Sequence, residues 1–287
     1  MGVRVYYRAT DDFRLGNIQN PMPYHPEWEI PQLTSEEQKK LQNILSQKFS
    51  YIGKGSQTYA FASEDQQYVL KFFKFKHLRP SLLFGILPKL PLLGPYQERE
   101  ILRKQRKLNS IFTGYKLAFD VDKEESGLIF IQLNPSQNPL YVTVVDKIGV
   151  NRTIDLGSVP YVIQEKGETL RSVLNRLIQN GDMEAAKQRI GQLLDLYVLE
   201  YHKGIYDRDH GVMCNTGFIE GRPFHLDVGK MVAEERMKQP EYFQPDLILV
   251  ANKIEQWTKT NHPNEAPEIK QYLESRLSTI FGTMFQL

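Results

Sequence analysis

The sequence predicts an α+β chain of two unequal lobes, a small β-rich one followed by a reduced helical one. Short aromatic and β-branched runs cluster before residue 166, and amphipathic helical patterns dominate after it. The clearest runs are FSYI, YAFA and QYVLKFF within residues 49–73, broken by Gly53-Lys54-Gly55 and by Ser63-Glu64-Asp65. They read as a three-stranded antiparallel sheet with tight connections.

The other elements follow in order. Residues 1–33 are polar and punctuated by Pro21, Pro23, Pro26 and Pro31, which predicts an arm rather than a core element. Thr34-Ser35-Glu36-Glu37 opens a helix running to about Gln47, its acidic residues placed where the helix dipole favours them. Residues 1–48 thus form an N-terminal arm and helix, 49–166 the β-rich lobe and 167–287 the helical lobe. Residues 77–95 are an apolar, proline-rich insert. A helix starting at Tyr96 buries Ile101, Leu102, Leu108 and Phe112. Strands are expected at LIFIQL, LYVTVV and PYVIQE, and helices at 170–178 and 185–201. In the second helix Ile190, Leu193, Leu194, Tyr197, Val198 and Tyr201 make one buried stripe. A hairpin pairs 217–219 with 224–226, and a last helical stretch runs from about Asp246 to Phe285.

Composition narrows the function classes. The 287 residues are 41% hydrophobic, ample for a core, and the formal charge is +2. Such a balance does not predict nucleic acid or an anionic membrane as partner. With Cys214 the only cysteine, no intrachain disulfide forms and a reducing compartment is expected. The first ten residues lack the apolar stretch of a signal peptide. No run of about 18 apolar residues occurs. The expected location is the cytoplasm, with export to a host cell left open.

Gly53 and Gly55 would let main-chain N–H groups approach a phosphate, although a glycine pair between strands also makes an ordinary turn. Lys71 sits inside the apolar run Val69-Leu70-Lys71-Phe72-Phe73, where a buried ammonium needs an anionic partner. An edge or snorkelling lysine is the plainer reading. Asp207-Arg208-Asp209, Asn215 and Leu226-Asp227-Val228-Gly229 follow the second helix. Each reads singly as a solvated turn or a helix cap.

Taken in order, these segments resemble the protein-kinase superfamily over about residues 49–230. Gly53 and Gly55 match the first two glycines of its glycine-rich loop, with Thr58 at the third. Lys71 matches the phosphate-binding lysine, sixteen residues after Gly55. Asp207-Arg208-Asp209 is similar to His-Arg-Asp, and Asp227-Val228-Gly229 to Asp-Phe-Gly. The resemblance implies a divergent two-lobed kinase-like fold, of an atypical bacterial kind similar to proteins of chlamydia-related intracellular bacteria. It implies ATP and Mg²⁺ as cofactors, with Asn215 and Asp227 as metal ligands and Asp209 serving the acceptor hydroxyl. Asp207 is the substitute if Asp209 points away. Glu98, sharing the inward face of its helix with Ile101 and Leu102, would position Lys71, with Glu100 as fallback. Main-chain groups of Gln164, Glu165 and Lys166 would meet the adenine.

The pattern also departs from the family. Asn215 comes six residues after Asp209 rather than five, Gly211 stands where a lysine is usual, and only 60 residues follow Asp227. Asp246 would brace the catalytic loop or simply start a helix. The expectation is therefore an atypical phosphotransferase acting on a protein or small-molecule acceptor. The rivals are a nucleotide- or partner-binding pseudokinase and an AMP-transferring enzyme. Residues 82–93 cover the small lobe or, alternatively, dock a partner or membrane surface.

Overall fold

In a computed structural model of the chain, residues 2–19, 23–78, 94–136 and 138–287 are described. The insert residues 82–93, expected to be a flap or docking patch, lie outside them. The architecture is mixed α+β, as expected, and divides into two units. One is Met1–Lys116 with Leu128–Lys166, the other Leu117–Gly127 with Gly167–Leu287.

The first unit contains helices α1 (Gly2–Ala9), α2 (Leu15–Ile18) and α3 (Ser35–Leu45), then strands β1 (Lys48–Lys54), β2 (Thr58–Ser63) and β3 (Tyr68–Phe73). Helix α4 (Gly94–Val121) begins here, and β4 (Leu128–Gln132), β5 (Tyr141–Val145), β6 (Asn151–Asp155) and β7 (Tyr161–Glu165) complete the unit. Thr34 caps α3 in a capping box with Glu37. The seven strands run β4-β7-β3-β2-β1-β5-β6. Only the β1–β5 pair is parallel.

Alternation assigns the two faces of this sheet. Tyr59, Phe61, Leu70, Phe72, Tyr161 and Ile163 share one buried face with Phe13, Ile18, Leu41 and Ile44. Lys71 and Phe73 lie on the other, where Phe73 meets Phe112 and Tyr115 of α4. The arm expected at 1–33 is therefore corrected. Phe13 packs edge-on against Tyr59 and Phe61, and Trp28 against Phe112, so these residues are core. Proline and charge around them mask single aromatic anchors that have no periodicity. Strand β6 was hidden for a similar reason: its sequence, NRTID, is polar and lies at the sheet edge.

The second unit contains α5 (Lys123–Ser126), β8 (Glu168–Thr169), α6 (Leu170–Gln179), α7 (Met183–Lys203) and β9 (Ile205–Asp207). After these come α8 (Val212–Asn215), β10 (Thr216–Ile219), β11 (Arg222–His225), β12 (Met231–Ala233), α9 (Pro240–Asn261) and α10 (Ala266–Phe281). Asp182 caps α7 through the Ala185 N–H, and Gly204, at φ 74°, ends it in the left-handed conformation that glycine adopts without penalty. The α7 stripe packs with α6, α9 and α10 around Leu193, Leu194, Tyr197, Leu247, Ile254 and Leu273. The last helical stretch comprises two helices and begins before Asp246, its expected start. The first starts at Pro240, with proline at N1 where its missing N–H costs nothing.

Candidate functional site

In the first unit, a β-bulge decides what faces Lys71. Tyr51 pairs with Phe61, but Gly53 pairs with Ala60, so Ile52 is the extra residue. The bulge moves the register by one and with it the facing of every side chain beyond. Gly53 therefore joins Ala60, Lys71 and Val162 in one cross-sheet row. Lys54 pairs with Tyr59 and takes the opposite face. A Cβ at Gly53 would meet nothing within 4 Å, and one at Gly55 only Thr58 Oγ1 at 3.8 Å. Neither glycine has positive φ. Turn geometry and packing thus leave both positions open to a side chain. Lys71 itself is 9% exposed.

The remaining expectations in this unit fare unequally. Glu98 is exposed, and the inward residue of that turn is its neighbour Gln97. The inward facing expected of Glu98 is thus corrected: Leu102 is also exposed, so the stripe begins one residue away from where the pattern put it. Glu100 is half-buried and pairs with Arg103 at 2.9 Å. Gln164 is buried in register with Val69 and Leu128, and Glu165 pairs with Tyr68. The Lys166 N–H donates to Gln67 O at 2.8 Å, so that donor is spent within the sheet.

In the second unit, the predicted chemistry gathers around α8. β9 delivers Asp207 and is held by β12, with Asp207 opposite Met231. The Asp209 N–H donates to Asp207 Oδ1 at 2.9 Å. Asp209 extends outward, its side chain 40% exposed and 3.2 Å from the Lys230 ammonium. Asn215 ends α8, where its N–H donates to Gly211 O at 2.9 Å. A Cβ on Gly211 would lie 2.7 Å from Asn215 Nδ2 and 3.4 Å from Asp209 Oδ1. Glycine there lets those two side chains flank one point.

Asn215 is tied in turn to the Asp227 loop. Its carbonyl accepts from the Leu226 N–H at 2.7 Å and the Asp227 N–H at 3.4 Å. Asp227 Oδ1 accepts from the Gly229 N–H at 3.0 Å. Among the described residues no group of three or more His, Cys, Asp or Glu is placed to hold a metal alone. Asn215 and Asp227 still fit Mg²⁺, a hard cation that takes one or two protein oxygens and completes its shell with phosphate and water.

Behind this loop lies a buried titratable group. Asp207 is pushed up to about 7 by burial, against the pull of His225 and of the Asp209 N–H and with the help of the Asp209 and Asp227 charges. His225 and Glu200 are both fully buried, with Nε2 2.9 Å from Oε1. Burial alone would lower the imidazole, but Glu200 and Asp207 raise it to about 9. Asp246 is not a helix-start aspartate, since α9 begins six residues earlier. Its carboxylate lies 2.7 Å from His210 Nε2 and accepts from Tyr201 OH at 2.7 Å, which braces the loop onto α7.

The sequence reading overlooked two features. The His225–Glu200 pair was signalled only by a histidine two residues before Asp227. Lys74 was signalled by the run KFFKFK, in which it follows Lys71 by three.

No protein-family model matches the chain, and no curated protein does. Among solved structures, the bifunctional kinase-methyltransferase WbdD is similar at 16% identity and TM-score 0.35, over 77% of this chain and 42% of that one. Rv3197 from Mycobacterium tuberculosis, in complex with erythromycin, is similar at 14% identity and TM-score 0.36, over 79% and 62%. This chain thus spans less than two thirds of either structure. Likeness of this degree says nothing of activity, and neither neighbour supports a chlamydia-related type. Among the described residues no helix is long and apolar enough to cross a membrane.

Proposed function

We propose that the chain is an atypical kinase-like phosphotransferase that uses Mg-ATP. The observation that carries this reading is in the second unit. The Asn215 carbonyl holds the Asp227 loop, while Gly211 lets Asn215 and Asp209 flank one point. Asn215 and Asp227, side chains that could supply metal oxygens, thus lie on hydrogen-bonded loops with Asp209 beside Asn215, a combination that would suit phosphoryl transfer. Mg²⁺ would screen the charge of the transferred group. Asn215 and Asp227 would hold the metal, and the ammonium of Lys71 would steady phosphate oxygens. Asp209 accepts or orients the proton of the acceptor hydroxyl. Lys230, 3.2 Å from Asp209, offers a second cation to the transferred group.

The pseudokinase reading is favoured by one observation, the exposure of Glu98 on α4. A thermal-shift titration with ATP, with and without Mg²⁺, tests the proposal. The parent should be stabilised through mass action by Mg-ATP and much less by ATP alone. Lys71→Met and Asp227→Asn should each lower the shift. Absence of any shift at millimolar Mg-ATP would leave the nucleotide-free pseudokinase.

A further inference from the structure

The connection between β1 and β2 is closed by a single residue on the far face of the sheet. The Lys74 main-chain N–H donates to Gln57 O at 2.8 Å, and its ammonium donates to Gly55 O. Both ends of the three-residue connection 55–57 are thus tied to one side chain and its backbone. Lys74 is 6% exposed, and its ammonium lies 4.7 Å from the centroid of the Tyr59 ring. Burial and the nearby Lys54 charge bring it down to about 8, against the opposing pull of Asp11 and Asp12. Lys54, within the loop, is held 3.0 Å from Asp11.

The geometry of the peptide bond gives these contacts a consequence. In a trans peptide the C=O and the following N–H point in opposite directions. A Gly55 carbonyl aimed at Lys74, on the Tyr59 face, therefore aims the Ser56 N–H away from that face. Lys71 occupies the other face. Gly55 N–H is engaged with Thr58 O at 2.9 Å, whereas the N–H groups of Ser56 and Gln57 donate to no protein acceptor among the described residues. The Gln57 side chain is 6% exposed, and its Oε1 is buried without a hydrogen-bond partner. Free donors beside a glycine pair make a concavity suited to an anion.

We propose that Lys74 is a positioning residue of the glycine loop, holding the Gly55 carbonyl so that the Ser56 N–H is presented to a phosphate on the Lys71 side of the sheet. This rests on the loop being the phosphate site of the reaction proposed above. Lys74 touches no substrate; it acts through the peptide it fixes.

The test compares the parent with Lys74→Met, which keeps the stem and removes the donor, and with Lys76→Met as a control two residues on. Amide hydrogen exchange at Gly55 is measured without nucleotide, and Mg-ATP affinity by titration. Lys74→Met should speed Gly55 exchange at least tenfold and weaken Mg-ATP at least tenfold, while Lys76→Met stays within twofold on both. A folded Lys74→Met with unchanged Gly55 exchange, or with faster exchange and unchanged affinity, overturns the proposal. If the parent binds no Mg-ATP, the phosphate reading fails by itself and the exchange arm still decides whether Lys74 holds the loop. Should Lys74→Met not fold, the parent's own Lys74 ammonium is read by ¹⁵N NMR. Its protons should exchange slowly, and exchange at the rate of exposed lysines would overturn the role.

Discussion

Gly53 and Lys71 lie in one row across the sheet, joined through Ala60, because the chain takes one residue too many at Ile52. Were Ile52 paired in regular register, Lys54 rather than Gly53 would stand on the Lys71 face, and its ammonium would leave Asp11. Asp11 has good reason to keep it. Burial alone would raise that carboxyl, but hydrogen bonds from Lys147, Lys54 and Tyr51 hold it at about 2.

Deleting Ile52 should therefore remove the bulge and leave Gly53 opposite Ala60 and Lys54 opposite Tyr59. Ile52 is half exposed, so little core is lost. The expected outcome is a folded protein with Mg-ATP affinity within about threefold of the parent and a Lys54 that still holds Asp11 low, whereas a tenfold loss of affinity or a released Asp11 would show that Ile52 is not the extra residue. Nucleotide titration and the Asp11 carboxyl titration by NMR check the two effects.

Asp209 and Asp227 should separate binding from turnover. Asp227→Asn removes a metal oxygen and should weaken Mg-dependent nucleotide binding together with turnover. Asp209→Asn should stop turnover and leave binding within about twofold, because the acceptor-side carboxylate contributes little to nucleotide affinity. ATP labelled at the γ- or the α-phosphate shows which group moves. Label transfer from the α-position would establish AMP transfer instead.

The buried His225–Glu200 pair should dominate the pH dependence of stability. Removing one partner of a buried pair leaves an uncompensated charge, so Glu200→Gln should cost about 3 kcal/mol in urea unfolding near pH 6. The folded-state value of His225, about 9, stands above the ordinary 6.5. The pair's contribution is therefore complete below about pH 6.5 and fades as the pH rises through 9. The cost of Glu200→Gln should shrink over that interval.

A smaller effect of the same sign is expected from His210. Its hydrogen bond to Asp246 raises the imidazole above its usual value. Stability from this pair is full below pH 6.5 and declines above the raised folded value. Asp246→Asn should remove that slope and cost about 1 kcal/mol at pH 6, read from unfolding curves at pH 6 and pH 8.

Local signals were legible in the sequence, and non-local ones were not. The β2 and β3 runs and the α7 stripe show in their periods, because each records one element's own burial. The order of the seven strands does not show, since β7 enters between β3 and β4 through pairings across distant sequence. At the site, the residues Asp209, Asn215 and Asp227 were readable as a series, and their linkage through the Asn215 carbonyl was not. A main-chain hydrogen bond leaves no mark on residue type. Lys74 was missed because its partners are two carbonyls, which any sequence supplies.

The placement of β7 also bears on synthesis. β3 obtains its outer partner only after α4 and β4 to β6 have been made, and β1 waits for β5, made after α4 and β4. A nascent chain ending before residue 140 carries the β1–β3 meander with both flanks unpaired. Unpaired flanks of that kind recruit other strands. Closing them late, over long loops, is slow. Truncated chains ending near residue 135 should therefore aggregate, and chains extended past Lys166 should not, a difference visible by light scattering during cell-free translation. For this protein the hazard lies in the time between two strands, and a pause placed after β7 would be safer than one placed before it.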